Sequence, residues 1–168
     1  EPRIAYHHPL LDAKFGIDAD DDSIVWTDQQ CEELIQSYVV AAELAQQAGY
    51  RFVDVKCCHG YLLHEFLSAR TRLGKFGGDY EGRTRLLKTI VHRIQQQCPN
   101  LMVLVRLSFF DAPPFVTSKD VGVPMDFEHL LPYQFGFGCN ASNPLEMDLT
   151  EPLRLVKDLR DLGVASIN

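Results

Sequence analysis

The sequence predicts an α/β fold on a parallel sheet. Two architectures fit, a doubly wound sheet or a (β/α)8 barrel, and three observations lead there. Three helix-then-strand units succeed one another, which implies parallel pairing with right-handed crossovers. The segment Leu101–Val105, "LMVLV", is apolar on both faces, as a strand covered on both sides should be. The chain has 168 residues, one ordinary domain by length. A complete barrel takes about 250 residues and eight strands. Three convincing strands therefore amount to less than half of one.

Residues 1–26 read as loop, with His7-His8 before Pro9 near the site. Thr27 followed by Gln30 forms a capping box that opens a helix through about Gln47. Leu34, Ile35, Tyr38, Val39, Ala42 and Leu44 fit a 3.6-residue period along it. Ala48-Gly49 ends that helix, and "RFVDVKCC" follows as a strand over 52–57. A short helix after the strand carries His64 and Glu65, with Leu62, Leu63 and Phe66 turned inward. A second long helix runs from about Gly82 to Gln97, with Leu86, Leu87, Ile90, Val91 and Ile94 on one face. Pro99-Asn100 breaks it ahead of a strand over 101–107. Residues 109–149, with "DAPPF" and "PYQFGFGCNASNP", are too long for a plain connection and read as a functional loop or insertion. A last helix from Glu151 or Pro152 to Leu162 is stopped by Gly163 and feeds a strand over 164–168. The chain starts at Glu1 without a methionine and stops at "GVASIN" in mid-pattern, and reads as one piece of a longer protein.

Charge and cysteine content narrow the function classes. A net charge of −7 argues against a nucleic-acid binder, which wants a basic face. No apolar run approaches the roughly 18 residues of a membrane span. Five cysteines at irregular spacing are not a disulfide framework, which points to a reducing cytoplasm.

Chemistry concentrates in "KCCHGYLLHEF", Lys56 to Phe66, directly after the first strand. In either architecture ligands bind at the carboxyl ends of parallel strands. Lys56, His59 and Tyr61 lie where the first strand ends, and Arg106 closes the second after five apolar residues. Two cations from neighbouring strands would line one positive cavity with His59 and Tyr61 on its rim. The alternative is that each cation pairs with a carboxylate such as Asp54 or Asp111. Cys57 and Cys58 read as structural thiols, since adjacent strand residues face opposite ways. A zinc site of Cys57, Cys58, His59 and His64 lacks paired spacing, so no metal is expected.

The stretch "AGYRFVDVKCCHGYLLHEFLSARTRLGKFGGDYEGRTRLL" resembles the NADH:flavin oxidoreductase / old yellow enzyme family. In that family a strand ends in histidine-x-x-(asparagine or histidine)-glycine-tyrosine-leucine, a "YGG" loop and an asparagine-arginine pair follow, and the next strand ends in "VR" plus a small residue. The match covers about residues 27–108. The resemblance implies a partial (β/α)8 TIM barrel holding about three of the eight parallel βα units. It also implies an FMN cofactor, NADH or NADPH as electron donor, and a small-molecule substrate such as an activated alkene.

By the same resemblance, Arg106 approaches the pyrimidine edge of the flavin. His59 hydrogen-bonds a substrate carbonyl or the nicotinamide amide, and Tyr61 donates a proton to the alkene carbon. Lys56 stands where the family usually has histidine, which suits an acidic or otherwise different substrate and a place beside the cofactor. Gly82 stands where the pair has its asparagine, and the "GG" at 77–78 reads as a turn. The strands before Glu1 and the phosphate loops beyond Asn168 would complete such a site. A non-enzymatic subdomain or binding module with the same barrel pattern is the other reading, and the sequence is silent on oligomeric state.

Overall fold

In the computed structural model, residues 3–168 are described; Glu1 and Pro2, the start of the expected N-terminal loop, lie outside them. The centre is a three-stranded parallel sheet of β1 (Phe52–Cys57), β2 (Met102–Leu107) and β5 (Ser166–Ile167), in that order. The register runs from Phe52 opposite Met102 to Cys57 opposite Leu107, and pairs Leu104 with Ser166. The expected parallel neighbours are therefore present.

The helices form for the reasons the sequence gives. In α2 (Asp28–Gln47) the Thr27 hydroxyl accepts from the Gln30 N–H at 3.2 Å, and the Gln30 side chain accepts from the Thr27 N–H at 3.0 Å. This satisfies two of the orphan donors of the first turn. Cys31, Ile35, Val39 and Ala42 form its buried stripe. In α4 (Tyr80–Gln97) Asp79 caps the Gly82 N–H at 2.8 Å, so the helix starts two residues before the expected Gly82. The helix α5 (Thr150–Asp161) buries Pro152, Leu155 and Leu159. Gly163 then turns the chain at a φ of 82° into β5.

Strand alternation sends Val55, Cys57, Val103, Val105 and Leu107 into the core under α2 and α4. Phe52 and Met102 stay 52% and 50% exposed on the other face. A doubly wound sheet would cover both faces; here the helices cover one, the arrangement of an arc of a (β/α)8 barrel.

The stretches expected as loops carry some regular structure. A seven-residue helix, α1 (Pro9–Phe15), follows His8, whose Nδ1 accepts from the Leu10 and Leu11 N–H groups at 3.2 and 3.4 Å. Histidine is an unusual cap, and two turns are too short to show a period, so the sequence gives little sign of it. Within 109–149, β3 (Phe115–Val116) and β4 (Val123–Pro124) make a small antiparallel hairpin. Leu10, Tyr133 and Cys139 form a second, smaller core between these two stretches.

The helical layer is joined at Arg83, which has no exposed surface. Its guanidinium donates to the Leu67 carbonyl at the end of α3 (Leu62–Ser68), to the Gly78 carbonyl at 3.0 Å, and to Glu151 of α5 at 2.7 Å. Gly82 beside it answers a packing demand. A β-carbon there would stand 2.0 Å from the Gly77 carbonyl oxygen.

Glu151 also pairs with Arg70 at 2.8 Å, so the two ends of the ion pair are unequal. Arg83→Met leaves Glu151 a partner and should cost about 2 kcal/mol for the stranded carbonyls. Glu151→Leu strands a fully buried cation and should cost about 4 kcal/mol. Urea unfolding of the two variants checks the order; equal losses would refute the asymmetry.

Candidate active site

Lys56 and Arg106 are register partners at the carboxyl ends of β1 and β2. The alternation that buries Val55, Cys57, Val105 and Leu107 turns both cations to the uncovered face. Among the described residues neither makes an ion pair, with Asp54, Asp111 or any other carboxylate. Like charges side by side on neighbouring strands repel. The Lys56 ammonium lies 3.3 Å from the centre of the Tyr61 ring, a cation–π contact that offsets some of this cost. Tyr61 is 61% exposed as the N-cap residue of α3. Lys56, Arg106 and Tyr61 are all exposed on this open face.

His59 sits in the turn between β1 and α3, its side chain exposed and its N–H donating to Ser108 Oγ at 3.1 Å. The sequence reading brings Lys56, Arg106, His59 and Tyr61 to one corner, and the structure has them there. They do not share an enclosed cavity. A cavity of about 140 Å³ with Gly60 in its wall is lined by Tyr6, His8, Glu65 and Asp111, and by neither cation. Another, of about 740 Å³, lies beside Trp26, Asp28 and Arg72. The five cysteines are free and buried. Among the described residues no three His, Cys, Asp or Glu side chains are grouped to hold a metal. Among the described residues no helix is long and apolar enough to cross a membrane.

Behind the turn lies a polar layer that sequence reasoning missed. Ser68 donates to Asp111 Oδ2 at 2.7 Å, and Glu65 Oε2 accepts from the Ala5 N–H at 3.0 Å. Burial, with Asp111 nearby, pushes the Glu65 carboxyl above its ordinary range. His64, 2% exposed, accepts the Gly60 N–H at Nδ1, 3.0 Å away. The only sequence signal for this layer is polar residues among the apolar positions of α3, at Glu65 and Ser68.

His8 and His64 both use Nδ1 as an acceptor, which requires the neutral ring. For His8 the remaining proton on Nε2 then faces the Tyr133 hydroxyl at 3.1 Å. Burial holds both imidazoles below their ordinary value, against the opposing pull of Asp111. As pH falls through the ordinary value of about 6.5, the unfolded chain takes up protons that the folded chain refuses. Stability should therefore decline below about pH 6.5 and level off once the folded-state histidines also titrate. His8→Asn keeps a cap acceptor without titrating and should flatten part of that decline. Urea midpoints across the pH series test this, and a wild-type midpoint that does not move on acidification would refute it.

Comparison with known proteins gives a consistent set of likenesses. The profile of the NADH:flavin oxidoreductase / NADH oxidase family matches residues 16–122. An NADH:flavin oxidoreductase of Gibberella zeae is 36% identical over 89 residues, 51% of this chain and 22% of that protein. An NADPH dehydrogenase of Halalkalibacterium halodurans is 39% identical over 71 residues, 41% of this chain and 21% of that protein. The chain thus spans about a fifth of the length of these relatives. Old Yellow Enzyme from a Pichia species superposes with a TM-score of 0.49 at 28% identity, over 62% of this chain and 29% of that one.

Proposed function

The chain belongs to the NADH:flavin oxidoreductase / NADH oxidase family, and from that premise we propose that it carries the substrate-side part of an FMN-dependent oxidoreductase site. The observation that supports this most is the unpaired Lys56–Arg106 couple at the ends of adjacent parallel strands, with the Tyr61 ring against it. A cation pair with no carboxylate partner suits a ligand that is anionic or becomes so.

The residues fit a flavin on its pyrimidine side. Arg106 has a free, always-charged guanidinium whose planar donors match a carbonyl–nitrogen edge that gains negative charge on reduction. A bound flavin supplies the two-electron exchange between NADH or NADPH and a small-molecule acceptor, which we take to be an activated alkene. His59 offers an imidazole N–H to the acceptor's carbonyl, drawing charge away from the double bond. Tyr61 delivers the proton to the alkene carbon, a role suited to a phenol that stays protonated at neutral pH. Lys56 lies against the same ring and attracts acceptors that carry a carboxylate.

Two experiments on the full-length protein test this. Tyr61→Phe should slow turnover with an alkene by roughly 10²–10⁴-fold and leave the rate of NAD(P)H oxidation nearly unchanged, as loss of a general acid does. Stopped-flow measurement of the two half-reactions separates them; equal slowing would make the tyrosine structural. Lys56→His should shift preference from carboxylate-bearing alkenes to simple enones, and Arg106→Ala should weaken flavin retention. Unchanged selectivity and flavin affinity in those two variants would remove the roles proposed for the cations.

A further inference from the structure

His59 and Tyr61 belong to one tight turn, and its geometry is demanding. The Tyr61 N–H donates to the Cys58 carbonyl at 3.3 Å, which closes a four-residue turn over 58–61. The two central residues, His59 and Gly60, have φ of 60° and 67°. Positive φ at both central positions is the requirement of a type I′ turn. Glycine meets it freely, whereas for histidine the left-handed region carries strain of about 1–2 kcal/mol. His59 is the one non-glycine among the described residues with positive φ. Such strain persists where the surroundings over-determine the backbone.

Two side chains do that here, one for each central residue. The His59 N–H is taken by Ser108 Oγ, and the Gly60 N–H by His64 Nδ1. Ser108 is itself fixed, because its N–H donates to the Cys57 carbonyl at 3.2 Å, one step beyond the last paired residues of β1 and β2. It also stands two residues past Arg106 on the same chain. One hydroxyl thus connects the strand end that carries Arg106 to the turn that carries His59 and Tyr61.

We propose that Ser108 is a positioning residue of the site, its hydroxyl holding His59 in its left-handed conformation so that the imidazole, the Tyr61 phenol and the two cations keep one fixed geometry. His64 supports the same turn from below. The proposal rests on the functional reading above for what the geometry is used for, and on hydrogen bonds alone for the latch itself.

The test uses Ser108→Ala and Ser108→Thr in the full-length protein, with two readouts. Amide hydrogen exchange at His59 should speed up at least about tenfold in the alanine variant and return to the wild-type rate in the threonine variant, which keeps the hydroxyl. KM for the alkene acceptor should rise about tenfold in Ser108→Ala with kcat changed less than about threefold, and Thr should restore it. Unchanged exchange at His59 overturns the latch. Faster exchange with an unaltered KM overturns the positioning role and leaves the proposed function standing. A raised KM that threonine does not rescue makes Ser108 merely structural. A wild-type protein without flavin-dependent turnover overturns the functional reading instead, while the exchange measurement still decides the latch.

Discussion

One buried guanidinium fixes where the working surface can be. Arg83 ties the end of α3, the glycine turn at 77–78 and the start of α5 to the first turn of α4. That junction fixes the end of α3 together with the Ser68–Asp111 bond, while its beginning, the Tyr61 turn, is held by Ser108 and His64. Desolvating a guanidinium is costly, and it is tolerated here because two carbonyls and a carboxylate surround it. This point lies in the helical layer, and the hydrogen bonds of Ser108 and His64 add to it at the carboxyl ends of the strands.

The site itself is organised by charge left unanswered. In a chain of net charge −7, two cations side by side without a carboxylate is an arrangement that folding alone does not favour. Several other cations are paired. Arg72 pairs with Asp28, Lys88 bridges Glu81 and Asp158, and Arg154 reaches Glu81. Those ion pairs join helices and their connections, whereas Lys56 and Arg106 stand at strand ends.

The helices and strands of the sheet were legible because each had a physical signature. The Thr27–Gln30 box and the apolar stripe of α4 state their structure locally, and "LMVLV" reads as a strand, although helices cover only its Val103 and Val105 face and Met102 is half exposed on the other. The corner formed by Lys56, His59, Tyr61 and Arg106 was legible from strand termini together with the family resemblance. The enclosure expected around it was not found, because the face that carries it is uncovered. What stayed hidden depends on long-range contacts. His8 as a helix cap, the Ser68–Asp111 bond and the Ser108 hydroxyl on the His59 N–H join residues 43 or more positions apart, or use unusual residue types. Gly82 looked like a lost asparagine until the Gly77 carbonyl was seen against it.

The uncovered sheet face has a consequence for closure of the sheet. Phe52 and Met102 lie half in water beside each other, and among the described residues the outer edge of β1 carries no neighbouring strand. Exposed strand edges beside apolar surface are templates for another backbone. Asp54 and Lys56 interrupt the apolar residues along that edge, as charges do where natural sheets resist stacking end on end. In a closed (β/α)8 barrel such an edge pairs with a neighbouring strand and this face looks inward, so the edge of β1 is a place where a further strand can add.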